Sequence, residues 1–439
     1  MKKAPSPLVS LIPIIVLVLL LFATIRTFGS DALSGGSQVS LLTTTAICIL
    51  IGMVFYKIPW KDYELAITNN IAGVATAIII LLIIGALSGI WMISGVVPTL
   101  IYYGMQIIHP SFFLASTCII CALISVMTGS SWTTIATIGI ALMGIGKAQG
   151  FEDGWIAGAI ISGAYFGDKI SPLSETTILA SSITDTPLFR HIRYMMITTV
   201  PSLVITLIIF TVAGFSHDAN NTQHIAEVAT ALNEKFHITP WLLIVPVATG
   251  ILIAKKVPSI VTLFLSTLLA AVFALIFQPD LLEEISGIAA SGFDSLFKGL
   301  MMTIYGETSL HTDNAVLTDL IATRGMSGMM NTIWLILCAM CFGGAMTASG
   351  MVGSITSIFV RFMKKTVSVV SATVCSGLFL NLTTADQYIS IILTGNMFRD
   401  IYAKKGYESC LLSRTTEDAV TVTSVLIPWN SCGMTQATI

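Results

Sequence analysis

Between residues 65 and 146 the chain runs 82 residues without one Asp, Glu, Lys or Arg. Further uncharged runs cover 32–56, 194–216, 236–254, 257–279, 328–360 and 366–385. A helix needs about 20 apolar residues to cross a bilayer, and several of these runs supply them. Only 10% of the 439 residues are charged and 55% are hydrophobic, where a soluble domain carries roughly 25% charged residues. The chain reads as an all-α polytopic membrane protein, which excludes a soluble enzyme.

A net charge of −2, with 21 Lys and Arg scattered in small groups, leaves no basic footprint for nucleic acid. The eight cysteines form neither a disulfide framework nor a zinc pattern. Cys118/Cys121 and Cys338/Cys341 have CxxC spacing but fall in apolar helical stretches, where free cysteines pack as small hydrophobes. Leu8 to Phe22 follows Lys2 and Lys3 like a signal sequence, yet no A-x-A site follows. An uncleaved first helix is expected.

Apolar patterning predicts helices at 8–28, 38–56, 71–94, 112–127, 132–147, 154–188, 194–214, 239–254, 257–277, 328–348, 366–382, 388–403 and 408–439. The pair 112–127 and 132–147 is short and meets at Thr128-Gly129-Ser130-Ser131, a polar break with no flanking charge. That reads as a re-entrant hairpin, which a membrane tolerates only where it lines a cavity or is buried in protein. With a second hairpin around 384, the positive-inside rule sorts the charges. Lys2, Lys3, Lys57, Lys61, Arg190, Arg193, Lys255, Lys256, Arg361, Lys364, Lys365, Arg399, Lys404 and Lys405 fall inside. Only Arg26, Lys147, Lys235, Lys298 and Arg324 fall outside, and Lys169 and Arg414 lie within broken crossings. The N-terminus is expected in the cytoplasm and the protein in the cell membrane.

Sliding the chain on itself by 256 residues aligns Thr128 with Thr384, Trp132 with Tyr388, Gly150 with Gly406, Phe151 with Tyr407, Glu152 with Glu408 and Pro172 with Pro428. At an offset of 255, Gly89 and Gly95 lie over Gly344 and Gly350. Each copy reads as a helix, a linker (95–111 or 351–365), a hairpin with a polar tip and a helix broken around a proline. Only the second linker is charged, so the copies are expected to face opposite ways. Inverted repeats with broken helices point to a secondary transporter whose site lies near the bilayer midplane. The expected organisation is scaffold helices at 1–70, a first repeat at 71–193 (hairpin 112–147, broken helix 154–188), connecting helices and an outer segment at 194–327, and a second repeat at 328–439 (hairpin 366–403, broken helix 408–439).

In the first break, Gly167-Asp168-Lys169-Ile170-Ser171-Pro172-Leu173-Ser174-Glu175-Thr176 combines a carboxylate, hydroxyls and carbonyls released by proline. These are hard oxygen donors suited to a small hard cation. The tip residues Thr128, Ser130 and Ser131 would close such a sodium site. The second copy offers Asn381, Thr384 and Asp386 at its tip and Asn430 at its break, with Arg414, Glu417 and Asp418 one to two turns earlier. Arg414 and Asp418 are spaced to pair on one helix face. Ionisable groups at this depth are functional candidates by default. Blander roles stand beside each: Asp168 with Lys169 as a helix-end pair, Glu175 as a charge at a helix N-terminus, Asp386 as a tip cap, and Arg414, Glu417 and Asp418 as a structural network. Glu307, His311, Asp313 and Asp319 read as solvated or structural.

At GDKISPLSETT (167–177) and TSVLIPWNSCG (423–433) the chain resembles the NhaC family of sodium/proton antiporters, over essentially its whole length. The resemblance implies inverted repeats, paired hairpins, a homodimeric scaffold and an elevator-type transport domain. It implies exchange of sodium for protons, with sodium the transported ion and no resident cofactor. By position it assigns sodium ligands to Thr128, Ser130, Ser131, Asp168, Ser171, Ser174 and Thr176, with Asn381, Thr384, Asp386 and Asn430 as a second or substrate site. The family also includes malate/lactate-type exchangers, for which Arg414 would receive a carboxylate. Half a helix is expected beyond Ile439.

Burial favours the protonated form of a carboxylate and a nearby cation the ionised form. One acid, Asp168 first and Glu175 second, is therefore expected to take proton and sodium in turn. The competing classes are a channel, which needs a continuous polar pore, and an intramembrane protease built on Asp168 and Asp386.

Overall fold

In the computed structural model the chain is described except at residues 1–4, 29–34, 217–221, 289, 291, 309, 311, 313–317, 319–320, 356–365 and 439. Lys2, Lys3, Arg361, Lys364, Lys365, His311, Asp313 and Asp319 therefore lie outside the described residues. Among the described residues there is no strand beyond one bridge, Thr308 with Thr323. Eight helices among the described residues are long and apolar enough to cross a membrane, or nine if the pair Glu227–Lys235 and Pro240–Ala254, bent by 91°, counts as one span. Their outer faces carry exposed Leu, Ile, Val and Phe, as in Leu188–Ser216 and Ser259–Phe277, which is what a lipid-facing surface requires. The chain is a multi-pass membrane protein.

The chain forms two compact units, each assembled from separate stretches: Met1–Ile78 with Thr176–Met195 and Met330–Thr438, and Ile79–Glu175 with Met196–Met329. In the first, the helix Met330–Ala348 packs on Gly36–Tyr56 and Trp60–Gly73. Close approach there depends on Gly344, where a Cβ would lie 2.8 Å from the Ile67 backbone. The remainder of this unit includes a hairpin, Thr366–Thr384 and Gln387–Lys404, and an interrupted helix, Ser409–Ser424 and Ser431–Thr438.

In the other unit, Pro110–Thr128 packs along Asp153–Ile170. Gly163 and Gly167 face it at four-residue spacing, and a Cβ on either would lie 2.1 Å from Cys118 O or 2.4 Å from Ala122 O. Small residues at this spacing let membrane helices approach backbone to backbone, where dispersion and weak polar contacts replace the absent hydrophobic drive. The Gln278 amide closes a loop in the same unit, accepting from His237 N and donating to His237 O, each at 3.1 Å.

Several expectations need correction. The first hairpin's arms are longer than read: Pro110 starts the first arm at 110, capped by the His109 side chain, and by length and composition this arm reaches crossing size. The supposed linker 95–111 contains a helix, Val96–Ile107. The outer segment contains Pro279–Ser286 and Phe293–Tyr305, and Trp60–Gly73 is a helix although it is polar enough to be passed over. All were hidden because their apolar faces are short or one-sided.

Candidate functional site

The first interrupted helix ends at Ile170, two residues before Pro172, and resumes at Glu175. Proline disfavours helical geometry in the residue before it and removes a donor, so the chain leaves the helix at Ser171. A helix C-terminus presents orphan carbonyls and the negative end of the macrodipole. Asp168 sits in that last turn, adding a full negative charge, and is only 6% exposed. This is an unfavourable place for a lone carboxylate and a favourable one for a cation.

The hairpin tip supplies the donors that hold it. Ser131 Oγ donates to Asp168 Oδ2 at 2.8 Å, and the Ser174 hydroxyl and Ser131 N–H bond the same carboxylate. Ser171 Oγ donates to Val126 O at 2.8 Å, tying the break to the end of the hairpin's first arm. Gly129 turns the tip in the left-handed region at φ 67. It also lies directly on the break, where a Cβ would be 2.6 Å from Leu173 Cβ and 2.7 Å from its carbonyl carbon. The second arm opens with an α turn, Ser131–Thr134, followed by a π turn at Ile135–Gly139, a deviation frequent at functional sites.

The expected ligands divide into two groups. Asp168, Ser131, Ser171 and Ser174 come together and are buried. Thr128 and Ser130 instead build the tip: Thr128 Oγ1 accepts from Ser130 N and lies 3.3 Å from Thr134 Oγ1, while Ser130 Oγ caps the second arm by accepting from Thr133 N. Glu175 is the first residue of its half-helix and is exposed, a position where its charge complements the helix N-terminus. Thr176 is buried but belongs to the other compact unit.

The second tip and break meet through a denser set of bonds. Ala385 turns the tip at φ 57, and its carbonyl accepts from Ser431 N at 2.8 Å. Asp386 caps the second arm by accepting from Ile389 N at 3.0 Å, and its other oxygen accepts from Ser431 Oγ at 3.2 Å. Asn381 donates to Val420 O at 2.7 Å, Asn430 donates to Asn381 O at 3.2 Å, and Trp429 Nε1 donates to Leu382 O at 2.8 Å. The fully buried Asn381 Oδ1 has no hydrogen bond among the described residues. Thr384 repeats Thr128, lying 2.8 Å from Ser390 Oγ. Glu417 is fully buried. Arg414 stacks over Tyr194, 4.9 Å from the ring centroid, and reaches Asp418 at 4.0 Å as their spacing predicts.

Matched bonds recur at the 256-residue offset. Ser125 Oγ donates to Ala164 O as Asn381 does to Val420 O. Ser171 N donates to Asp168 O as Ile427 N does to Ser424 O, and Phe151 N to Gly146 O as Tyr407 N does to Tyr402 O. The Ser131–Asp168 pair falls on Gln387–Ser424, also bonded, at 3.4 Å. Ser431 and Gln387 fall within the second break and tip that the sequence singles out, without a role of their own there. The same offset marks them, since it sets Ser431 on Glu175 and Gln387 on Ser131.

The model of the Na+/H+ antiporter family matches residues 163–439. The chain is similar to the Na(+)/H(+) antiporter NhaC of Bacillus subtilis (strain 168), 35% identical over 89% of this chain and 84% of that protein. It is similar to the Na(+)/H(+) antiporter NhaC of Alkalihalophilus pseudofirmus, 37% identical over 88% and 81%. The malate-2H(+)/Na(+)-lactate antiporter of Bacillus subtilis (strain 168) is 36% identical over 92% and 83%. With both helix breaks inside the matched region, the chain belongs to the Na+/H+ antiporter family.

Proposed function

We propose that this chain is a secondary active transporter of the cell membrane that exchanges sodium for protons. The observation that carries the reading is Asp168, a buried carboxylate at the negative end of an interrupted helix, held by Ser131 and Ser174. A carboxylate buried at such a depth needs neutralising, and either a proton or a cation does so. Because one group cannot hold both, the two ions compete for it, and competition couples their fluxes in opposite directions.

In this reading Ser131, Asp168, Ser171 and Ser174 contribute sodium ligands, Thr128 and Ser130 shape the tip, and Glu175 is the second coupling acid. Asn381, Thr384, Asp386 and Asn430 form a second cation or substrate site. The recurrence of bonds at one offset supports two structural repeats; the uncharged first linker and the cytoplasmic charge tally support their facing opposite ways, with re-entrant hairpins and the N-terminus in the cytoplasm. An elevator-type motion within a homodimer follows from the family resemblance.

A second reading, sodium-coupled exchange of a small organic acid, is favoured by Arg414. Its guanidinium is partly buried beside Tyr194, and its Nε lies 4.0 Å from Asp418, too far for a hydrogen bond, which supports a role in receiving a carboxylate. Proteoliposomes with an imposed pH gradient separate the two. Uptake of sodium or lithium with no organic anion present supports proton exchange, an absolute requirement for malate or lactate supports the second reading, and neither flux overturns both.

A further inference from the structure

Three sulfur atoms meet inside one of the two compact units. Cys48, in Gly36–Tyr56, places its Sγ 3.7 Å from Met346 Sδ and 3.7 Å from Met351 Sδ. Ser349 Oγ lies 3.7 Å from the same sulfur. Cys48, Met346 and Met351 are each 0% exposed. The two methionines flank the turn that ends Met330–Ala348. Gly350, at φ 70, lies in that turn, where Ser349 Oγ accepts from Met351 N, and a methionine from each side of the turn reaches Cys48.

The turn itself does not need sulfur. In the first copy Ser94 N donates to Ile90 O and Gly95 N to Met92 O, as Ser349 N donates to Ala345 O and Gly350 N to Thr347 O, and Gly95 has φ 82. The 255-residue offset there puts Trp91 where Met346 stands and Val96 where Met351 stands. Beside the sulfur trio lies a second unused polar group. The fully buried Tyr63 Oη has no hydrogen bond among the described residues. It abuts Gly52, one turn along the helix from Cys48, where a Cβ would lie 1.7 Å from it.

We infer that Cys48, Met346 and Met351 form a binding site for a soft monovalent metal cation of the copper(I) or silver(I) class. Thiolate and thioether are soft donors that select such ions over sodium, which prefers oxygen. Three sulfurs around an ion at about 2.3 Å stand about 4.0 Å apart, so Cys48 Sγ has to move about 0.3 Å further from each methionine sulfur. Binding displaces the thiol proton to solvent, and the resulting thiolate and monovalent cation sum to zero charge. A divalent ion would leave one net charge in a low-dielectric interior, which is costly. The site is independent of the sodium-exchange reading.

The test is anaerobic titration of the full detergent-purified chain with copper(I) against a competing chromogenic chelator. Wild type is expected to take up one more ion per chain than Cys48→Ser or the Met346→Leu/Met351→Leu double variant, whose affinity falls at least about tenfold. X-ray absorption is expected to show sulfur neighbours at about 2.3 Å, with one proton released per ion. The double variant conserves side-chain volume, so it keeps a folded comparison available if the serine variant fails to fold. Equal uptake by wild type and the double variant, or no uptake by wild type against the chelator, overturns the site.

Discussion

Replacing Asp168 with Asn keeps the side chain's size and its capacity to accept from Ser131, and removes only the charge. Asp168→Asn is therefore expected to abolish sodium-dependent dissipation of a pH gradient in inverted vesicles while expression is retained; undiminished exchange removes Asp168 from the mechanism. Ser131→Ala, which deletes one donor to that carboxylate, is expected to weaken apparent sodium affinity by about tenfold, the worth of a hydrogen bond to a charged group. The two tip turns make opposite demands. Gly129→Ala meets both a left-handed backbone and Leu173, and is expected to lower the thermal midpoint. Ala385 already stands at φ 57, so Ala385→Gly is expected to raise stability by about 1 kcal/mol. Glu408 gives the pH sign. The Cys410 thiol first, and Arg190 second, hold its carboxyl below the usual glutamate value. A depressed pKa contributes above the unfolded value, about 4.3, and is lost only as pH falls through the lower folded value. Glu408→Gln is thus expected to leave the shape of the transport pH profile unchanged between about pH 6 and 9; a shifted profile would make the Arg190–Glu408 tie a pH sensor.

At the scale of elements, the stretches related by the 256-residue offset keep positions of contact more than residues. Gly163 faces Cys121 in the first copy, and at the offset Ala419 faces Gly377, so the glycine moves from interrupted helix to hairpin. Ser130 and Glu175 likewise correspond to Asp386 and Ser431, with carboxylate and hydroxyl exchanged. That exchange explains what was legible. Long apolar helices, both tips, both breaks and the Arg414–Asp418 pair follow from hydropathy, proline and i,i+4 spacing. Ser431 as partner of Asp386 was not legible residue by residue, because a serine carries no charge or rarity to mark it. The helix Trp60–Gly73 was missed because its polar residues mask its packing against Met330–Ala348. Gly163→Leu, which drives a side chain into the Cys118 carbonyl, is expected to destabilise by about 3 kcal/mol or prevent folding. Ala419→Leu has more room against Gly377 and is expected to cost less in the same thermal assay.

For the molecule as a whole, the proposed exchange requires two copies of one design, oppositely oriented, each bringing a hairpin tip onto the gap of an interrupted helix. Opposite orientation lets one exchange site be approached from either side of the membrane in turn. It also makes a definite statement about two lysines that each lie near the end of a hairpin's second arm, Lys147 and Lys404. Cysteines placed at these positions, one at a time in a chain whose own cysteines are replaced by serine, can be labelled with a membrane-impermeant maleimide in right-side-out and inverted vesicles. Position 147 is expected to label from outside only and position 404 from the cytoplasmic side only. Labelling of both from the same side would contradict the inverted arrangement and the exchange mechanism built on it.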